Sequence, residues 1–185
     1  MHVVMLGDSN VGKTALREKY LGPGFQSKYM MTIGADFALK EAKIDGRSIK
    51  FQIWDIAGQQ RFNAVRSVYY LSALGAIIVF DVTKRQSFEN CNKWIKEFWT
   101  NNAQKQILPV ILLANNADLR DSTPDSVSID EIQQYCKKLN ERTQQYGFKV
   151  LYFDTNAKTG INISKAFDTL GRLYFDYLEK QRNID

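Results

Sequence analysis

The sequence predicts a three-layer α/β domain on a mostly parallel sheet. Short apolar runs, of the kind buried on both faces of a parallel sheet, recur at 2–6, 75–80, 107–113 and about 148–153. Segments of helical periodicity separate them. A single hairpin signal, Asp45-Gly46, joins two strand-like runs and adds an antiparallel element to the pattern.

In chain order, His2-Val3-Val4-Met5-Leu6 reads as a buried strand and 13–21 as a helix. Gly22-Pro23-Gly24 then breaks the pattern, and the polar stretch to Gly34 has no period, so it reads as a long loop. Phe37-Ala38-Leu39 and Ile49-Lys50-Phe51-Gln52-Ile53-Trp54 are the strands of the hairpin. Phe88, Cys91, Trp94, Ile95, Phe98 and Trp99 recur at helical spacing, and their aromatic rings are expected in the core. Ser128-Ile129-Asp130-Glu131 has the form of a capping box that opens another helix. Ile163, Ala166, Phe167, Leu170, Tyr174 and Tyr177 form the stripe of a final helix.

The first strand and helix flank Gly7-Asp8-Ser9-Asn10-Val11-Gly12-Lys13-Thr14, which spells the phosphate-cradling pattern G-x-x-x-x-G-K-[ST] in its required strand–helix context. Gly7 and Gly12 allow backbone conformations that turn successive N–H groups inward at a helix N-terminus, where the helix dipole favours an anion. The stretch from Ser9 to Thr14 is therefore expected to hold nucleotide phosphates, with Val11 also serving as a packing residue. Lys13 can reach β- and γ-phosphate oxygens, and the Thr14 hydroxyl suits Mg²⁺, a hard cation bound by oxygen. Asn10 stands where such loops often carry glycine, and asparagine tolerates positive φ well.

Three further strings follow predicted strands. Asp55-Ile56-Ala57-Gly58-Gln59 places Asp55 where Mg²⁺ would sit, Gly58 where a backbone N–H can approach a γ-phosphate, and Gln59 where its amide can orient an attacking water. In Asn115-Asn116-Ala117-Asp118, Asp118 can accept two hydrogen bonds from the N1 and N2 donors of guanine, a pair that adenine lacks. In Thr155-Asn156-Ala157-Lys158, the Ala157 N–H can meet guanine O6 while the Lys158 stem supports the base. Each string alone is weak. Their order, each at the C-terminal end of a strand, where open α/β sheets bind ligands, makes the set specific.

Composition excludes other chemistries. The 185 residues, 44% of them hydrophobic, fit one ordinary domain. The net charge of +5 comes from basic residues dispersed among acidic ones, so a nucleic-acid partner is not expected. Cys91 and Cys136 are far apart, with no CxxC spacing, and His2 is the single histidine, which argues against a disulfide framework, a structural zinc site or a histidine-dependent triad. No apolar run has the length to cross a bilayer and no signal peptide precedes the phosphate loop, so a cytoplasmic protein is expected.

These motifs resemble those of the Ras superfamily of small GTPases over essentially the whole chain. Ile33-Gly34-Ala35-Asp36-Phe37, Lys50-Phe51-Gln52-Ile53-Trp54-Asp55, Arg61-Phe62, Tyr69-Tyr70 and Phe80-Asp81-Val82-Thr83 are similar to signatures of its Rab branch. The resemblance implies the P-loop GTPase fold over 1–185: a six-stranded, mostly parallel sheet flanked by five helices. It implies GTP/GDP and Mg²⁺ as ligands, with Thr32 of a first switch joining Thr14 and Asp55 around the metal. It further implies that Phe25 packs on guanine beside Asn115 and Asp118, that Tyr29 closes over the phosphates, and that a second switch runs from Gly58 to about Ala73. Phe37, Trp54 and Tyr69 match the aromatic triad that effectors contact; exchange factors and GTPase-activating proteins are the other partners implied. The expected protein is a monomeric switch in membrane trafficking that hydrolyses GTP slowly; the alternative is a nucleotide-binding interaction module with little hydrolysis.

Three positions depart from the family pattern. Asn116 stands in place of the lysine of Asn-Lys-x-Asp and is too short both to cover the base and to reach the phosphate loop, so looser retention of guanine is expected. Gln60 replaces the usual glutamate, and Ile56 a common threonine. The sequence given ends at Asp185 without the variable tail and terminal cysteines used for prenylation, so peripheral attachment to the cytosolic face of a membrane is expected only through a lipidated tail absent from it.

Overall fold

The computed structural model describes residues 1–23, 34–59, 63–103 and 105–182. Its centre is a six-stranded sheet in the order β2-β3-β1-β4-β5-β6, made of β1 (His2–Leu6), β2 (Ala35–Ile44), β3 (Arg47–Ile56), β4 (Gly75–Asp81), β5 (Val110–Asn115) and β6 (Leu151–Thr155). All neighbours are parallel except β2 and β3, whose antiparallel register runs from Ala35 opposite Ile56 to Ile44 opposite Arg47. The chain passes from β1 to one side of the sheet for β2 and β3, then crosses to β4 on the other. The end of β1 is thus a topological switch point, the place where such sheets leave a crevice.

Alternation along the strands divides the core in two. Val3 and Met5 of β1, Ile77 and Val79 of β4, and Ile111 and Leu113 of β5 pack with Leu16 and Tyr20 of α1 (Lys13–Leu21) and with Phe167 and Leu170 of α6 (Ile163–Arg182). On the opposite face, Val4, Leu6, Ile78, Phe80 and Leu112 pack against Tyr70 of α2 (Asn63–Tyr70), Trp94 and Phe98 of α4 (Cys91–Asn101) and Ile132 and Leu139 of α5 (Ile129–Thr143). Tyr20 and Phe167 stack with ring centroids 3.8 Å apart, joining α1 to α6. Of the aromatic residues read as core, Trp94, Phe98 and Trp99 are buried, while Phe88 is half-buried and packs against the same cluster. Both cysteines are free and buried, and burial pushes each thiol's pKa up, Cys136 to about 11.

Several boundaries shift from the sequence expectation. β2 is longer than 37–39 because it pairs with β3 along its full length; its Lys40, Glu41 and Lys43 mark a charged edge strand and dilute the apolar signal. β5 begins at Val110 because Pro109 has no N–H for the ladder, while Leu108 turns its carbonyl to the Trp99 indole at 3.0 Å. β6 begins at Leu151, since the Val150 N–H and carbonyl are taken by the Asn140 side chain at 2.6 and 3.3 Å. The single helix read around Phe88 to Trp99 is divided at Asn90 into α3 (Arg85–Glu89) and α4. The capping box appears as read: Ser128 Oγ accepts from the Glu131 N–H and Glu131 accepts from the Ser128 N–H.

Candidate functional site

Four loops at the C-terminal ends of β1, β3, β5 and β6, with the turn after β4, surround one cavity of about 630 Å³. Its lining includes Ser9, Asn10, Val11, Gly12, Lys13, Thr14, Gly58, Gln59, Asn115, Ala157 and Lys158, all of them expected from the sequence, together with Asp81, Lys84 and Asn116. Phe25, Tyr29 and Thr32 lie outside the described residues.

The loop after β1 bends through Asn10 at φ 59° and Gly12 at φ 96°, directly before α1. A Cβ at Gly12 would collide with the Asn115 amide, so the loop closes against the base side of the cavity only because this residue is glycine. Asn115 Nδ2 donates to the Val11 carbonyl at 2.9 Å, fixing the two loops together. Asp8 is anchored from α4 and the residue before it, accepting from Trp94 Nε1 at 2.8 Å and Asn90 Nδ2 at 2.7 Å. Lys13 is buried and donates to the carbonyls of Gly7 and Asp8 at 2.9 and 2.7 Å. Burial pulls its ammonium down to about 8 against the attraction of Asp55 and Asp8. An anion in the cavity would favour the charged form further, so the residue is suited to phosphate.

Asp55 is fully buried at the end of β3 and accepts a short hydrogen bond from the Thr14 hydroxyl. A hydroxyl that gives its proton to a carboxylate keeps its lone pairs for a cation, and this all-oxygen pair fits Mg²⁺. Among the described residues there is no cluster of three or more His, Cys, Asp or Glu side chains able to hold a metal. A cation beside Thr14 and Asp55 would take further oxygens from phosphate and water, as Mg²⁺ does in phosphate sites. Gly58 passes so close to the first loop that a Cβ would lie 2.6 Å from the Asp8 carbonyl carbon and the Ser9 nitrogen. This approach puts Gln59 in the lining of the same cavity as Ser9 to Thr14.

Sequence reasoning missed Arg66 of α2. Its side chain is 1% exposed, donates to Glu97 through Nε and Nη2 at 2.9 and 3.3 Å, and lies 4.7 Å from the centre of the Trp94 ring. Its Nη1 donates to the Gln59 carbonyl at 3.0 Å, and Tyr70 donates to the same Glu97 at 2.9 Å. A charged residue inside an apolar-looking helix gives no local signal of such a partnership.

On the base side, Asp118 is exposed in the 3₁₀ turn Ala117–Ser122 and does not itself line the cavity. Asn156 Nδ2 donates to Asp118 Oδ1 at 2.6 Å, while Asn156 Oδ1 accepts from the N–H groups of Lys158 and Thr159 at 2.7 and 3.1 Å. Asn156 was not singled out in the sequence, yet it locks the loop after β6 onto the aspartate. Arg120 adds a second tie, bonding both oxygens of Asp154 at 3.0 and 2.5 Å. Phe37, Trp54 and Tyr69 form one aromatic row outside the cavity, with successive ring centroids 4.8 Å apart.

The Ras family model matches residues 2–175. The chain is 35% identical over 174 residues to Ras-related protein RABG3f of Arabidopsis thaliana, covering 93% of this chain and 81% of that protein. It is 36% identical over 174 residues to Ras-related protein Rab7 of Drosophila melanogaster, covering 93% and 79%. It is 34% identical over 174 residues to the Ypt/Rab-type GTPase ypt71 of Schizosaccharomyces pombe (strain 972 / ATCC 24843), covering 94% and 80%. A phosphate loop, an Asp-x-x-Gly-Gln turn and a guanine-type aspartate gathered on one sheet edge have the same meaning as these likenesses: the chain belongs to the Ras family, as a Rab-like GTP hydrolase that binds GTP or GDP with Mg²⁺ and switches in membrane trafficking.

Proposed function

We propose that residues 1–185 form one GTPase domain in which the cavity residues divide the work as follows. Ser9 to Thr14 cradle the phosphates with backbone N–H groups, and the Lys13 ammonium stabilises charge on the β- and γ-phosphate oxygens. Thr14, Asp55 and Thr32 hold Mg²⁺, which when bound neutralises charge between those oxygens. The Gly58 N–H meets the γ-phosphate, and the Gln59 amide orients the attacking water. Asn115, Asp118, Ala157 and Lys158 select guanine, with Phe25 against the base and Tyr29 over the phosphates. The γ-phosphate orders the two switch segments, and hydrolysis releases them.

Arg66 lies near this site but is engaged with Glu97 and the Gln59 carbonyl, so a partner's arginine is the source of rapid turnover. Effectors, an exchange factor and a GTPase-activating protein dock on the switches and on Phe37, Trp54 and Tyr69 of a monomer. Phe37, 42% exposed, offers those partners an apolar contact beside two half-buried rings. Among the described residues no helix is long and apolar enough to cross a membrane, so work at a cytosolic membrane face requires a lipidated tail or a bound partner.

The observation that carries this reading is the convergence of all four motif loops on one cavity. Competitive titration of wild type and Asp118→Asn with GDP and XDP tests it. Asparagine offers a donor where guanine also offers one, so preference should move from GDP towards XDP by at least about tenfold, the scale of one mismatched buried polar contact. Unchanged preference removes Asp118 from base selection.

A further inference from the structure

Position 116 holds no cation, yet a cation reaches the place where one is useful. Lys84, in the turn after β4, donates from Nζ to the Asn10 carbonyl at 2.7 Å and pairs with Asp81 Oδ2 at 3.3 Å. Asp81 is almost fully buried and is held rigidly, since its Oδ1 accepts from the Thr83 N–H and hydroxyl at 3.0 and 2.7 Å. The Asn116 side chain approaches the Asp81 carboxylate and helps to lower its pKa, and the Val82 N–H donates to the Asn115 carbonyl at 3.0 Å, joining the turn after β4 to the loop after β5. Asn116 has φ 59° and caps the 3₁₀ turn that carries Asp118. One buried carboxylate therefore receives the segment that leads to the base-selecting aspartate and steers the lysine that grips the phosphate loop. Lys84 and Asn116 both line the cavity.

We propose that Lys84 is a nucleotide-retaining residue, its ammonium tying the phosphate loop at Asn10 to the guanine-selecting loop through Asp81, so that Lys84 and Asn116 share a brace that a lysine at 116 could provide alone. Asn10 bends left-handed with its carbonyl held by Lys84, and freeing that carbonyl loosens the inward-turned N–H groups that follow it. Removing the lysine should therefore raise the rate of nucleotide loss more than it alters the chemical step, because Gln59 and Thr14 belong to the other end of the cavity. This rests on the guanine-nucleotide reading proposed above and names a positioning residue for the same site. It replaces the expectation that asparagine at 116 leaves guanine loosely held.

Stopped-flow release of a fluorescent GDP analogue from wild type, K84M, K84R, N116K and K84M/N116K provides the test. K84M should release the analogue about tenfold faster, the value of one half-exposed, charge-assisted hydrogen bond. K84R, which keeps a cation of similar reach, should stay within about threefold of wild type. N116K should change release by less than about threefold where Lys84 is present but should restore most of the loss in K84M, since the two ammonium groups serve one carbonyl. Wild-type release from K84M, or equal slowing by N116K in both backgrounds, overturns the inference while leaving guanine binding intact. Failure of wild type to bind the analogue overturns both this inference and the proposed function.

Discussion

Arg66→Met separates what the buried arginine does for stability from what it does for Gln59. Methionine keeps the apolar stem that packs beside Trp94 but removes the charge that faces Glu97, whose side chain is only 20% exposed. Breaking a buried pair by deleting one partner costs about 3–5 kcal/mol, and partial access of water to Glu97 lowers this to about 2–3 kcal/mol. Replacing both groups, as in R66M/E97L, removes the stranded carboxylate and should recover most of that loss. About 1 kcal/mol remains because the buried Tyr70 hydroxyl loses its acceptor. Hydrolysis should behave differently. The Gln59 carbonyl loses its 3.0 Å donor in both variants, and one such bond, about 1–1.5 kcal/mol, corresponds to about a tenfold slower chemical step. Urea unfolding with nucleotide in excess measures the first quantity and single-turnover GTP hydrolysis the second. Wild-type hydrolysis by R66M, or recovery of hydrolysis together with stability in R66M/E97L, would refute the role of Arg66 in holding Gln59.

Gln59→Leu keeps the approximate volume but cannot hydrogen-bond water, so GTP affinity should stay near wild type while single-turnover hydrolysis slows by about tenfold or more; equal rates would remove Gln59 from the chemistry. Glu131 is held down to about 2 by its hydrogen bond to Arg85 and by the Ser128 N–H and hydroxyl. A carboxyl whose folded pKa lies below its unfolded value, about 4.5, stabilises the fold above that value and loses the effect as pH falls towards 2. Glu131→Gln should cost no more than about 1 kcal/mol at pH 7, because the site is open to solvent, and the difference from wild type should fade between pH 4 and pH 2; a constant difference in urea unfolding across that range would contradict the assignment.

The fold was legible where the signal is local. Buried parallel strands announce themselves as apolar runs, and β1 and β4 lie within a residue of where those runs place them. Boundaries failed where a side chain or a missing N–H overrode the run. Asn140 draws Val150 away from the sheet, and Pro109 delays β5, and in both places the flanking residues are as apolar as the strand itself. The helix Asn63–Tyr70 was read only as part of a switch by resemblance, since its eight residues are too few to set a period against the turn signals around them.

The site divides along the same physical line. Residues that act through backbone conformation and through ligand chemistry sit in short motifs, because a loop at a strand end must place several groups within one turn; Ser9 to Thr14, Gly58 and Gln59, which line the cavity, were legible for that reason. Residues that fix those loops relative to one another act across the fold. Lys84 meets Asn10 from 74 positions away, Asn156 meets Asp118 from 38, and Arg66 meets Glu97 from 31. Nothing in their neighbours' identities distinguishes them from solvated charges or turn residues. The substitution at 116 shows why this matters for function: a motif can lose its cation while the cavity keeps one, because the carbonyl that needs a donor accepts it from any element that the fold brings within 3 Å, about the length of one hydrogen bond. Motif departures of this kind therefore predict altered kinetics only after the surrounding loops have been searched for a substitute, and here Asp81, buried and doubly bonded by Thr83, is the group that holds the substitute in place.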